Sequence, residues 1–317
     1  MMKTVKTGGI VGIYSPSGSV VYSESDLALY ERGLKKLRSL GLNIFEADHV
    51  RSRLFHMASD GKSKAADLEQ LFLNDSVDVI LPSVGGHTAS QMLPYLNFES
   101  IQAHPKIFIS FSDSSLLGML ISERTGMVTY HSAVDVMFGF GVFDTDDCKM
   151  EAKGEYTKKC FCDALFKGEL NQNPFSKWSV LKPGRAEGVI LGGNTNSIEA
   201  LLGTPYEPDW NGKILFFEGC DALRNFYRTI THFSNAGIFS KISGLLIGNT
   251  SRLLEDFYAE DEIMQIDEML GYLLGDFDIP IIYNANIGHD VENLVVPMGA
   301  KAILTAENDA GNIKFLL

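Results

Sequence analysis

Short apolar runs alternating with helical stripes through the first 130 residues restrict this chain more than any other feature. Residues 10–14 (IVGIY) form an unbroken apolar run that ends in the turn Ser15-Pro16-Ser17-Gly18, the pattern of a strand covered on both faces. Leu27, Tyr30, Leu34, Leu37 and Leu40 recur at three- and four-residue steps, which predicts a helix that Gly41 ends. The pattern then repeats. A strand at 42–46 is followed by a helix through Ala65, Leu68, Leu71 and Phe72, a strand at 77–81, a helix near 90–96 and a strand at 107–111. Strand–helix–strand repetition with few hairpin signals predicts a parallel sheet with helices on both faces. In such sheets the ligand sits at the carboxyl ends of the strands.

Between 143 and 180 the texture becomes polar and charged, with one helical pattern near 156–166. Three further apolar runs follow at 188–193, 213–218 and 244–248, with helices around 197–202 and 224–233. Residues 303–304 and 313–315 flank Asn308-Asp309-Ala310-Gly311, a hairpin signal. At 317 residues the chain has the length for two units. The reading is α/β throughout: an N-terminal parallel-sheet domain over 1–170 and a smaller C-terminal α/β domain over 171–317.

Acidic side chains outnumber basic ones by 40 to 27, a formal charge of −13. That balance argues against nucleic acid or an anionic membrane as the main partner, because both repel net negative charge. No run reaches the roughly 18 apolar residues that span a bilayer, and the N-terminus has no long apolar core. A cytoplasmic protein is expected. Four cysteines are too few for a disulfide scaffold. On a strand, Cys160 and Cys162 would share one face, but no further zinc ligands stand near them, and they are read as reduced thiols. Phosphate-loop, two-histidine zinc and calcium-loop patterns are absent, and Gly139-Phe140-Gly141 lacks the third glycine of a dinucleotide fingerprint. No cofactor and no metal are expected.

The stretch Ile107-Phe108-Ile109-Ser110-Phe111-Ser112-Asp113-Ser114-Ser115 is the most informative. An apolar strand runs into a helical pattern with no loop between, and Ser112 stands at the corner with a small serine two positions to either side. A nucleophile elbow needs those sterics, and its usual form is Gly-x-Ser-x-Gly. The sharp turn pushes the hydroxyl above the sheet and leaves the Asp113 N–H at a helix start, where an oxyanion would form. A plain serine N-cap has the same local pattern. Val84-Gly85-Gly86-His87-Thr88 follows the strand ending near Ser83. One of its N–H groups could be the other oxyanion donor, or the glycines simply make a tight turn.

A serine hydroxyl needs a base, and the base needs an orienting acceptor. Of seven histidines, His49, His56 and His104 lie in polar or proline-flanked stretches and His232 in an amphipathic helix. His131 ends the strand 127–130 and could reach the site from behind. His289 follows the apolar run from Ile281 at a glycine, Gly288. Glu218 places a charge at the end of the apolar run 214–217, either as a functional acid or as a solvated strand end.

In order and spacing these residues resemble the L,D-carboxypeptidase and microcin C immunity peptidases, serine peptidases with a Ser-Glu-His triad. The likeness runs over nearly the whole chain. It is carried by Ser15-Pro16-Ser17, by Gly85-Gly86 with Leu93-Pro94-Tyr95-Leu96, and by Pro105-Lys106 leading to Phe111-Ser112-Asp113. Gly192-Gly193-Asn194 with Leu202-Gly203-Thr204-Pro205, the run 214–218, and Gly288-His289 with Pro297-Met298-Gly299 complete it. The resemblance implies Ser112 as nucleophile, His289 as base, Glu218 as orienting acid, and the N–H groups of Gly86 and Asp113 as oxyanion hole. It also implies a cleft between the two domains, a homodimer, and an amide substrate with a carboxylate or similar anion beside the scissile bond.

Gly192-Gly193-Asn194, Ser176-Lys177-Trp178 and the length of the middle segment look more like the immunity branch, whose substrate would be a small peptide or peptidyl-nucleotide. Trp178 is then the expected stacking surface for a nucleobase. Asn194 and Arg228 are also expected at the substrate, and Arg252 is a further candidate cation. A murein-tetrapeptide L,D-carboxypeptidase is the alternative, and a non-catalytic binding relative is the alternative of another class. Three departures bear on substrate selection and leave the triad intact. Ser110 replaces the family's usual glycine, Ser114-Ser115 an Ile-Thr pair, and His131-Ser132-Ala133 a Gly-Pro pair after an aromatic residue or His.

Overall fold

The computed structural model describes residues 3–132, 148–219, 223–249, 266–289, 292–307 and 310–317. Its first part alternates as the apolar runs predict: β1 (Ile10–Tyr14), α1 (Glu24–Ser39), β2 (Asn43–Glu46), α2 (Gly61–Leu73), β3 (Val79–Pro82), α3 (Phe98–Ala103), β4 (Ile107–Ser110), α4 (Ser115–Thr125) and β5 (Thr129–His131). These strands lie parallel in the order β2-β1-β3-β4-β5. The stripe on α1 buries Tyr30, Leu34 and Leu37, and the helix starts where the Ser23 hydroxyl accepts the Asp26 N–H. The run near 90–96 folds as a 3₁₀ segment, Ala89–Tyr95. Pro94 within it supplies no backbone donor, which disfavours a regular α-helix.

The polar middle segment carries α5 (Cys148–Cys162), which widens into a π turn over Asp163–Lys167, and β6 (Ser179–Lys182). Cys160 and Cys162 are free thiols on α5, where residues two apart point to different sides, so they share no strand face. Then follow β7 (Gly184–Asn194), α6 (Thr195–Glu199), β8 (Ile214–Glu218), α7 (Leu223–Asn235), β9 (Gly244–Gly248), α8 (Ile266–Leu274), β10 (Ile281–Ala285), β11 (Val296–Met298), β12 (Lys301–Glu307) and β13 (Ala310–Leu316). The second sheet has the order β13-β12-β7-β8-β9-β10-β6. Strands β7 to β10 are parallel at its centre, and the flanking pairs are antiparallel. The hairpin read at the end of the chain is β12–β13; Asn308 and Asp309 lie outside the described residues.

β11 returns to the first sheet, where Val296, Pro297 and Met298 pair antiparallel with His131, Tyr130 and Thr129. Pro297 is tolerated because β11 is the edge strand. The buried apolar side chains form one cluster through both sheets, from Val11 and Phe108 to Phe216, Leu246 and Leu304. The carboxyl ends of β4, β8 and β10 lead directly to Ser112, Glu218 and His289.

Candidate active site

Three short geometric facts build the corner at Ser112. Phe111 stays extended after β4 (φ −155°, ψ 156°), Ser112 turns left-handed at φ 52°, and a 3₁₀ turn, Ser112–Ser114, enters α4. A serine at positive φ is uncommon and costs about 1–3 kcal/mol, so its surroundings must hold it. Ser114 does so. Its hydroxyl accepts the Phe111 N–H at 2.9 Å and donates to the Phe111 carbonyl at 2.7 Å. The helix also lies close against the strand, since a Cβ at Gly118 would meet Ser110 Oγ at 2.2 Å.

Glu218, the last residue of β8, is 1% exposed. Its Oε2 accepts the His289 Nδ1–H at 2.7 Å, and its Oε1 accepts Asn194 Nδ2–H at 3.1 Å. With Nδ1 protonated toward the carboxylate, Nε2 is the acceptor for the Ser112 hydroxyl, 3.0 Å away. Burial pushes the Glu218 carboxyl up. The charge and hydrogen bond of His289, the His131 imidazole and the Asn194 amide outweigh that and hold it below the ordinary carboxylate range. The carboxylate is therefore anionic where the imidazole needs it.

The polar middle segment holds the residues just before His289 through Asn286 and Gly288. Asn286 Oδ1 accepts from Trp178 Nε1 at 2.9 Å and from the Phe175 and Ser176 N–H groups, and its amide donates to Ser176 Oγ. Gly288 N–H donates to Asn293 Oδ1 at 2.6 Å, and Asn293 N–H donates to Thr157 Oγ1 on α5 at 2.8 Å. Lys153 of α5 pairs with Glu292 at 2.9 Å. Gly288 sits at φ 138°, a conformation open to glycine and strained for other residues.

The loop after β3 lies close against Ser112. A Cβ on Gly85 would lie 2.8 Å from Ser112 Oγ and 3.9 Å from Asp113 N; one on Gly86 would lie 2.5 Å from Ser17 Oγ. The loop is anchored by Gly18 N–H to Gly85 O, Thr88 N–H to Ser17 Oγ, and Ala89 N–H to Asp113 Oδ2. The Gly86 N–H is not among these anchors, and Gly86 is exposed.

His131 lies near His289. It is buried, and neither ring nitrogen has a hydrogen-bond partner among the described residues. Phe111 and Phe216 flank it at ring distances of 5.5 and 5.2 Å, and Phe111 also lies 4.6 Å from the His289 ring. Burial drives the His131 pKa down to about 4, opposed by Glu218 and helped by His289. It is a neutral ring at working pH.

Of the residues expected at the substrate, Trp178 and Asn194 are buried. Trp178 is 1% exposed, with its indole N–H given to Asn286. A buried ring offers no face to a nucleobase, so its part is structural. Asn194 is buried too; its amide donates to Glu218 Oε1 and its N–H donates to Ser115 Oγ at 2.9 Å. Arg228 lies on the exposed side of α7, and no contact joins it to Ser112, Glu218 or His289 among the described residues. Arg252 lies outside the described residues. Among the described residues no group of three metal-binding side chains comes together.

A hydroxyl, an imidazole and a buried carboxylate in series are what acyl transfer through serine requires. Two family models match the chain: the LD-carboxypeptidase N-terminal domain over residues 11–132 and the LD-carboxypeptidase C-terminal domain over 187–304. The chain belongs to the LD-carboxypeptidase family and is a serine-type carboxypeptidase. It is 28% identical over 310 residues to the "Probable murein peptide carboxypeptidase" of Bacillus subtilis, covering 97% of this chain and 92% of that protein. It is 23% identical over 329 residues to the Escherichia coli "Microcin C7 self-immunity protein MccF", covering 95% and 92%. The solved structure of MccF in complex with glutamyl sulfamoyl guanosine shares the fold, with a TM-score of 0.86 at 20% identity over 99% of this chain and 98% of that one.

Proposed function

We propose that this carboxypeptidase is of the microcin C immunity type. It cleaves an amide beside a carboxylate or similar anion in a small peptide or peptidyl-nucleotide, through an acyl-enzyme. The observation that carries the reading is the Ser112–His289–Glu218 chain, with links of 3.0 and 2.7 Å. In this reading residues 1–170 form the domain with the nucleophile and oxyanion donors, and 171–317 the domain with acid and base. The cleft between them takes the substrate.

The steps follow from the donors and acceptors in place. Ser112 Oγ attacks the amide carbonyl while His289 Nε2 takes its proton. The carbonyl oxygen becomes an oxyanion that accepts from the Gly86 and Asp113 N–H groups, each such donor being worth about 10²–10³ in rate. The imidazolium, steadied by Glu218 at Nδ1, then gives its proton to the leaving nitrogen as the C–N bond breaks. Water, deprotonated by the same imidazole, releases the acyl group and restores Ser112.

The likeness to MccF along 95% of the chain supports the peptidyl-nucleotide. The 28% identity to a murein peptide carboxypeptidase supports a second reading, a murein stem peptide. Purified protein offered an aminoacyl sulfamoyl nucleoside and a murein tetrapeptide separates the two. Ser112→Ala is expected to fold and to lose at least about a thousandfold in turnover; near-normal turnover sinks the assignment. A fluorophosphonate that fails to label Ser112 points instead to a non-catalytic binding relative. The same reading makes the protein a cytoplasmic homodimer, which light scattering on the purified chain tests. Among the described residues no helix is long and apolar enough to cross a membrane.

A further inference from the structure

Lys64 of α2 is 1% exposed, an unusual place for an ammonium group. It donates to Thr88 O at 2.9 Å and to Thr88 Oγ1 at 3.0 Å. Hydroxyls lead on from there to a carboxylate. Thr88 Oγ1 lies 3.3 Å from Ser17 Oγ, and Ser17 Oγ donates to Asp113 Oδ2 at 2.7 Å. The same two acceptors take backbone donors: Thr88 N–H reaches Ser17 Oγ, and Ala89 N–H reaches Asp113 Oδ2, both at 2.8 Å. A cation at one end and a carboxylate at the other set the direction of each proton, every hydroxyl accepting on the lysine side and donating toward Asp113.

This buried row ties α2, the turn after β1, the Gly85–Thr88 loop and the entry to α4 into one unit. Its acidic end is the residue after Ser112. The Asp113 carboxyl carbon is three bonds from the Asp113 nitrogen, whose N–H is proposed to meet the oxyanion. An uncompensated anion at that position, shielded from water, opposes the negative charge that develops on a substrate oxygen.

We propose that Lys64 is a positioning residue for acyl transfer, which through Thr88 and Ser17 offsets the Asp113 charge and keeps the Gly85–Gly86 loop seated against Ser112. It touches no reacting atom. The inference rests on the reading of Gly86 and Asp113 as oxyanion donors. The charged groups that face Lys64 are Asp113, at the start of the 3₁₀ turn, and Asp60, the N-cap of α2. Burial lowers the lysine to about 8 against the pull of both carboxylates, so it loses its charge in mildly alkaline solution and leaves Asp113 uncompensated.

The test is the rate at which a fluorophosphonate labels Ser112 across neutral to alkaline pH. Labelling needs the same attack and builds the same negative oxygen. The full-length wild type is compared with Lys64→Met and with Lys64→Met combined with Asp113→Asn. The wild-type rate is expected to fall as pH passes through about 8. Lys64→Met labels about tenfold or more slowly at neutral pH and shows no such fall. The double variant regains most of the rate, because both donors to Asp113 reach one oxygen that an amide carbonyl can replace, without the charge. Should Lys64→Met not fold, the double variant alone carries the test, by labelling near the wild-type rate with no alkaline fall.

Labelling of Lys64→Met at the wild-type rate overturns the proposal, and so does a folded double variant no faster than the single one. In both cases labelled wild type leaves the hydrolase reading standing. Wild type that is never labelled removes that reading and this inference with it.

Discussion

Glu218 and His131 are both buried behind the same imidazole, yet one is held charged and the other neutral. The difference lies in their partners: Glu218 accepts from His289 and Asn194, whereas the His131 nitrogens have none among the described residues. The consequence for stability has a definite sign. The folded His131 pKa, about 4, lies below its ordinary 6.5, so between these values the unfolded chain binds a proton that the folded chain does not. Stability therefore falls as pH drops through that window, by up to about 3 kcal/mol. His131→Leu, an apolar side chain of similar size, is expected to lack this loss. Urea unfolding at several pH values checks it, and an acid slope equal to wild type counts against it.

Lys64 works in the opposite window. Its pKa is lowered from 10.5 to about 8, so between these values the unfolded chain again binds more protons, and stability rises with pH. Lys64→Met should flatten that rise while leaving the acid slope of His131 in place. The same unfolding series reads both effects, and an unchanged alkaline rise in Lys64→Met rules out the assignment of the slope to this lysine.

Between elements, the decisive contact is where the end of β7 meets the start of α4. A Cβ on Gly193 would lie 2.5 Å from Ser115 Oγ, and the next residue, Asn194, donates its N–H to that hydroxyl and its amide to Glu218. Glu218 of the second sheet is thereby tied through Asn194 to Ser115 at the start of α4. Gly193→Ala forces the two apart. It should cost about 1–3 kcal/mol of stability and, because small misplacements are expensive in acyl transfer, about tenfold or more in the labelling rate of Ser112. Wild-type labelling by a variant with the altered side chain would show that this approach does not set the geometry.

The strands were legible at this scale because buried parallel strands are continuous apolar runs: β1 and β9 have the bounds their composition suggests. Helix starts were less so. α5 begins at Cys148, before the expected 156, because its first turns are polar and show no stripe. A helix that leans on its neighbours through Lys153 and Thr157 leaves no apolar period to read.

In the whole molecule, β11 closes the first sheet with residues from beyond 290, so that sheet is not complete within the first 170 residues. A fragment of residues 1–170 leaves the edge of β5 unpaired, and such edges promote aggregation. The fragment is expected to melt below the full chain and to bind more of a hydrophobic dye, and a fluorophosphonate should leave it unlabelled for want of His289. A fragment as stable as the intact protein would mean that β11 contributes little.

Local features are legible in the linear chain: the apolar runs, the corner at Ser112, the strand-end positions of Glu218 and His289, and, by resemblance, their pairing. Periodicity and covalent adjacency act over a few residues, and those signals survive in the linear chain. Folding sets which polar group meets which. It turned Trp178 inward to Asn286, gave Asn194 to Glu218, and joined Lys64 to Asp113 through two hydroxyls. The physical reason is that a buried polar group must find partners in whatever surface folds against it. Those partners come from stretches far away along the chain, and a sequence pattern carries no record of them.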